Sequence, residues 1–347
     1  MINHTISHQN NLTEREKNIL RSIVYSYILN ASPVGSRYLS KTLSEEIPLS
    51  PATIRNVMSD LQEKELIRHA HISSGRIPTD KGYRLYVDSL MKDELLTNNE
   101  ISTITQSIVT EKNDFLKDVS TILSTLSNCL SIVKFPYLVD IVVQKVEVIQ
   151  LGSTRIVVVL ALESPYVRTL TLETDTEINF ENIQYLTSII NEKISGKTLS
   201  FLRNNFSSII TETSINQHPL VRLFVDSIDS LFEVYRTNDS NIIISGANKL
   251  VDLPDFETIN SVKGVIELIE NEDIIVHLVD SIEGSDQDST VLIGSEIGNE
   301  RLEDYAMLVS SYTVGKAQGS IGLIGPKRMN YSKLLSILKL VSQTISK

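Results

Sequence analysis

The sequence predicts an α+β multidomain chain in which a small helical module precedes a mixed α/β sheet body that is itself interrupted by helices. Three observations carry that expectation. Residues 1–90 run through helical patterns into a short strand–turn–strand and back into a helix. From about Pro136 the apolar period falls from helical to alternating. Helical periods return in the middle of the chain before strand-like runs resume near its end. With 347 residues, 41% hydrophobic and 22% charged, the chain is long enough for two or three cored domains and too apolar for wholesale disorder.

The first predicted helix is "LTEREKNILRSIVYSYILN". Thr13 caps it, and Glu16 three residues on completes a capping box. Ile19, Leu20, Ile23, Val24, Tyr27 and Ile28 recur at core-facing spacing. "ASPVGSR" breaks the pattern, and Ser36 starts a short helix to about Leu43. In the third helix Ser50 is the cap and Pro51 suits the first helical position. Ile54, Val57, Met58 and Leu61 make one apolar stripe, with Ala52, Asn56, Ser59, Asp60 and Glu63 around the opposite side and Thr53 and Arg55 flanking it. Leu66–Ala70 predicts a strand, Ser73, Ser74 and Gly75 a turn, and Arg76 and Ile77 a returning strand that Pro78 ends. Thr79 then caps a last helix with Asp80 in its first turn. Helix, helix, helix, two-stranded wing, helix is a winged helix-turn-helix.

Charge is divided unevenly along the chain. Residues 1–90 hold 11 Lys or Arg against 9 Asp or Glu, while the remainder holds 21 against 34, together giving the net charge of -11. Overall acidity argues against indiscriminate coating of nucleic acid but allows one basic face on a small module. A short amphipathic helix with small, hydrogen-bonding groups on its free side fits a major groove. Thr53, Arg55 and Asn56 are the candidates for base edges, since Asn pairs bidentately with adenine and Arg with guanine, and Ser59 on the same side is a further DNA-binding candidate. Ser50, Arg68, His71, Arg76, Lys81 and Arg84 fit phosphate contacts, which give register and salt-dependent affinity. Winged modules that bind only protein share this pattern, and Asp60, Glu63 and Glu65 oppose phosphates late in the helix.

Four stretches carry a resemblance: "LTEREKNILRSIV", "PVGSRYLSK", "LSPATIRNVMSDLQEKELIRHAHISSGRIPTDKGYRLYVD" and, near the end, "GSIGLIGPKRMNYSKLLSIL". They resemble the heat-inducible transcription repressor HrcA family, at both ends of the chain and more loosely in between. The resemblance implies a bacterial, cytoplasmic repressor of heat-shock (chaperone) operons, nucleoid-associated when bound. It implies a homodimer on double-stranded DNA, at an inverted-repeat operator named CIRCE, with activity modulated by heat and by the GroEL chaperonin. It puts the helix-turn-helix at Ser50–Asn56 and the wing at Ser73–Arg84.

Residues 92–134 read as helical: Ile101, Ile104 and Ile108, then Phe115, Val119, Ile122 and Leu126, keep three–four spacing. Beyond them "YLVDIVVQKVEVIQLGSTRIVVVLALES" holds two strands, the second nearly all apolar and so central, and "VRTLTLET" a third. "NFENIQYLTSIINEKIS" and "HPLVRLFVDSIDSLFEVYR" are helical, "NIIISGANKL", "IIVHLVDSI", "STVLIGSEI", "AMLVSSYTVG" and "GSIGLIGP" are strand-like, and "YSKLLSILKLVSQTI" is a closing helix. Helices interrupting a sheet read as an insertion, with an apolar face suited to a symmetric dimer. The resemblance implies a GAF-like mixed α/β domain with an inserted mainly helical dimerisation domain. The expected division is 1–90 winged-helix DNA-binding domain, 91–135 helical linker, 136–175 first part of the GAF-like domain, 176–236 inserted dimerisation domain, and 237–347 second part with the C-terminal helix.

Little in the body suggests chemistry. Gly315, Gly319, Gly322 and Gly325 lack the Gly-Lys-Ser/Thr that a phosphate loop needs, so turns and a hairpin explain them. Lys327 and Arg328 read as a basic turn or a contact with another domain. Of six histidines only His4/His8 and His69/His71 are neighbours, and the single cysteine, Cys129, lies among Leu126, Leu130 and Val133 as a buried structural thiol. The acidic runs lack a calcium-loop pattern. No cofactor, metal or enzymatic activity is expected. The start lacks the apolar core of a signal peptide, and the longest aliphatic run, Ile156–Leu162, falls far short of a membrane span, so a soluble cytoplasmic protein with no membrane partner is expected. The alternative is a ligand-responsive winged-helix transcription factor with a metabolite pocket in the GAF-like domain. A third reading is a protein-interaction module.

Overall fold

The computed structural model describes residues 12–43, 48–70, 75–109, 115–134, 142–163, 167–173, 180–211, 242–256, 266, 269–270, 272–282, 289–314 and 317–346. The chain is mixed α/β. Helix α1 spans Glu14–Asn30, α2 Ser36–Thr42 and α3 Pro51–Glu63. Strands β1 Ile67–His69 and β2 Arg76–Pro78 form an antiparallel hairpin, and α4 follows at Asp80–Leu85, prolonged by a wider turn over Tyr86–Leu90. The capping box at Thr13 and Glu16 is formed, and Thr79 caps α4 through Gly82 N. In the hairpin Ile67 faces Pro78, Arg68 faces Ile77 and His69 faces Arg76. The core of this N-terminal unit is Ile19, Leu20, Ile23, Leu39, Ile54 and Leu61, each fully buried. Emptying one such site to Ala costs about 2–5 kcal/mol.

Helices α5 (Asn98–Val109) and α6 (Phe115–Ser127) follow the expected spacing, but Leu130–Lys134 is a strand, β3, and not the end of a helical linker. Asn128 takes a left-handed φ of 52° and breaks the helix, and every residue of β3 is buried. A short apolar run buried on both sides has no period that separates strand from helix.

The sheets correct a second expectation. Strands β4 (Val143–Gln150), β5 (Arg155–Leu162) and β6 (Val167–Glu173) pair only with one another among the described residues, in the order β4-β5-β6 with β5 central. They do not enter the sheet built by the later strands. Helix α7 (Phe180–Ile194) joins them: Asn191 accepts from Val146 N and donates to Val146 O, both at 2.7 Å, and so satisfies the β4 backbone. Helix α8, Leu199–Thr211, follows; the expected helix within 218–236 lies outside the described residues.

The larger sheet has five antiparallel strands in the order β7-β3-β10-β9-β8, with β7 Ile242–Ser245, β8 Ser289–Ile293, β9 Tyr305–Val314 and β10 Ala317–Pro326. Helix α9 spans Ala247–Val251. The run "IIVHLVDSI", expected as a strand, lies in helix α10, Glu272–Ile282. Among its described side chains Ile275, Leu278 and Val279 are buried, at helical and not alternating spacing. Alternation in β9 divides the core. Ala306 and Leu308 face α5, α6 and the closing helix α11 (Tyr331–Ile345), while Met307 and Val309 face α9 and α10. Gly319, Gly322 and Gly325 sit within β10 of the β9–β10 hairpin, where Tyr312, Leu308 and Cys129 leave little room for a Cβ; Gly315 lies outside the described residues. No helix among the described residues is long and apolar enough to cross a membrane.

Candidate nucleic-acid interface

The polar side of α3 is built by its cap and its buried stripe. Ser50 Oγ accepts from Thr53 N at 3.1 Å, and Pro51 occupies the first turn, where no intrahelical N–H bond is lost. Ile54, Val57, Met58 and Leu61 are buried, which rolls Arg55, Asn56, Ser59 and Asp60 to the exposed side with Thr53 half-buried at its edge. The Ser50 and Thr53 hydroxyls lie 2.9 Å apart and hydrogen-bond each other.

The hairpin stands beside this helix and is tied to the segment between α1 and α2. Val34 N donates to Arg76 O and Arg76 N to Val34 O, both at 2.9 Å. Arg68 is exposed on β1. The Arg76 guanidinium is half-buried, with Nη1 2.7 Å from His69 Nδ1 and Nε buried without a hydrogen-bond partner. Burial, and then the nearby Arg55 cation, lowers the Arg76 pKa, so two positive charges from α3 and the hairpin are held close. That arrangement is stabilised by an approaching anion.

The remaining candidates separate. Lys81 is exposed and pairs with Glu65, an ion pair in solvent that is worth little and exchanges readily. His71 lies outside the described residues. Arg84 does not join the surface. Its Nε donates to Glu296 at 2.9 Å, its Nη2 to the Val291 carbonyl at 2.6 Å and its Nη1 to Asp88 at 3.1 Å. Burial would lower its pKa, but the Glu296 and Asp88 carboxylates outweigh it and raise it. The phosphate role expected for Arg84 therefore gives way to a structural one. Its partner lies 212 residues away in sequence, which no local pattern reveals.

Two exposed cations escaped sequence reasoning. Arg37 and Lys41 lie on the outer side of α2, flanking the exposed Tyr38. Their i, i+4 spacing on a helix packed against α3 was the available signal.

A cleft of about 750 Å³ opens between the N-terminal unit and the body, with Arg68, Lys81, Arg301, Lys327, Arg328 and Tyr305 among its lining residues. Its acidic groups include Glu65, Asp80, Asp255 and Asp304, so the lining is mixed in sign. Cys129 is buried, and burial pushes its thiol up to about 12, as expected of a structural cysteine. Among the described residues no cluster of His, Cys, Asp or Glu could hold a metal ion.

Residues 113–335 match the family model described as HrcA protein C terminal domain. The Heat-inducible transcription repressor HrcA of Chlorobium phaeobacteroides (strain BS1) is 33% identical over 347 residues, covering 96% of this chain and 97% of its own. That of Chlorobium chlorochromatii (strain CaD3) is 34% identical over 340 residues, with the same coverage. A crystal structure of a hypothetical protein at 2.2 Å resolution shares the fold with a TM-score of 0.70 at 21% identity, over 96% of this chain and 98% of that one.

Proposed function

The chain belongs to the HrcA family, and from that premise we propose that it is a sequence-specific DNA-binding repressor of heat-shock operons. Its relatives are named as transcription repressors; it is not an enzyme. The observation that carries the proposal is the free polar side of α3, with Arg55, Asn56 and Ser59 exposed, beside a hairpin that brings Arg68 and Arg76 to the same region. In this reading residues 12–90 are a winged helix-turn-helix, α3 enters the major groove and the hairpin grips phosphates. Thr53, Arg55, Asn56 and Ser59 read base edges; Ser50, Arg68, Arg76 and Lys81 contact the backbone, joined by Arg37 and Lys41.

The five-stranded sheet with its helices is read as the GAF-like body, and the β4–β6 sheet with α7 and α8 as part of the dimerising insertion. A homodimer then presents two α3 helices to the halves of an inverted repeat of the CIRCE kind, in the bacterial cytoplasm, and obstructs transcription while bound. Heat shifts the dimer toward a form that releases DNA, and GroEL restores the competent form. Both faces of the five-stranded sheet are packed with buried apolar side chains, which disfavours a metabolite pocket inside it. A footprint of the full chain on its own promoter DNA, repeated after a mild heat step, tests the proposal. Protection of two symmetric arms that fades on heating supports it; uniform protection without symmetry refutes it.

A further inference from the structure

Helix α4 carries side chains with two destinations. Lys81 points to solvent beside the hairpin, whereas Asp80, Tyr83 and Arg84 turn to the body. At the start of α4, Lys327 Nζ donates to Asp80 Oδ1 at 2.7 Å and Ser295 N to Asp80 Oδ2 at 3.3 Å. One turn on, the Arg84 fork spans the Glu296 carboxylate and the Val291 carbonyl. Between these points the Tyr83 and Tyr331 rings pack with centroids 6.1 Å apart. A further contact lies at the end of α1, where Arg328, held by Asp255 at 2.9 Å, donates to the Ile28 carbonyl at 3.4 Å. Gly294, with φ +56°, lies so close to the Asp80 carboxylate that a side chain there would strike it.

Contacts at both ends of α4 and a third at the end of a different helix, α1, oppose rotation as well as translation. Apolar packing alone would allow sliding, because it is non-directional; forked and charge-assisted hydrogen bonds fix direction. We propose that Asp80, Arg84, Glu296, Lys327 and Arg328 are positioning residues that fix the angle of the reading helix on the body and thereby set the half-site separation the dimer accepts. The proposal rests on the repressor reading above. The residues touch no DNA; they act through the orientation of α3. If each module swung freely, the second arm of an inverted repeat would be met at low effective concentration and with little preference for spacing.

The test uses the full chain with Lys327→Met and Glu296→Gln combined, and with Lys327→Arg as the conservative control. Cys129 is buried, so spin labels placed through Asp60→Cys and Glu303→Cys react selectively. With doubly labelled protein diluted into an excess of unlabelled protein, so that only the distance within one protomer is read, the expected result is one narrow label–label distance in the unaltered background and in the Lys327→Arg protein, and a broad distribution in the double variant. On duplexes carrying the footprinted inverted repeat, the double variant should bind about tenfold or more weakly and tolerate inserted base pairs between the arms. Its affinity for a duplex with one arm scrambled should stay within about twofold, which also shows that the module is folded. An unchanged distance width, an equal loss on both duplexes, or a gain on the inverted repeat would overturn the proposal. If the unaltered protein binds intact and scrambled duplexes alike, the repressor reading fails, and the distance widths still decide whether these residues fix the angle.

Discussion

Asn56 and Arg55 stand side by side on the free face of α3, each offering a planar head that can make two hydrogen bonds at once. Asn56→Ala should cost about 1–3 kcal/mol of discrimination at one base pair. Because the side chain is exposed, the melting temperature should hold; anisotropy titrations against single-base operator variants check both. Arg76→Ala should instead weaken all sequences alike and reduce the salt slope by about 1. Glu100 gives a pH prediction. Its bond to Lys333, followed by those from Thr97, holds its pKa at about 2 against an ordinary 4.5. A depressed carboxylate stabilises the fold above its unfolded pKa, and that contribution drains away as pH falls from about 4.5 toward 2. Glu100→Gln should therefore flatten the acid limb of the stability curve, read by denaturant melts across that range. The exposed position of Asn56 on α3 was legible from helical spacing alone. Arg84 was misread because a cation three residues from Lys81 carries no mark of which way it faces.

At the scale of elements, caps and close approaches decide. Thr13→Ala removes the capping box of α1 and should cost about 1 kcal/mol in a denaturant melt. Gly82 lies directly over the Leu66 carbonyl, so Gly82→Ala must push α4 off β1 and should destabilise by about 1–3 kcal/mol, with the hairpin amides losing hydrogen-exchange protection first. Sequence reasoning recovered α1–α7, the hairpin, β4–β10 and α11, most of them marked by caps or sustained periods. It failed where a short apolar run was the only signal. Leu130–Lys134 continued a helical spacing yet forms an inner strand, and Ile274–Ile282 looked strand-like yet forms a helix packed on the sheet. In both, tertiary burial overrode local pattern.

Over the whole molecule, the charge division becomes spatial. A net of +2 on residues 1–90 sits ahead of a remainder whose net charge is strongly negative, and under the proposed function the polar face of α3 and the hairpin are where a phosphate backbone would be admitted. The sheets depart from the expected division, since residues 143–173 pair among themselves and leave the five-stranded sheet to β3 and the later strands. Sheet membership depends on contacts across more than a hundred residues and is not written in any local period. The most direct measurement is a titration of the full chain against three duplexes at moderate ionic strength: the inverted repeat, one arm of it, and a random sequence. The account predicts that the inverted repeat binds about a thousandfold or more tighter than the random duplex, with the single arm between them. Equal affinity for all three would contradict it.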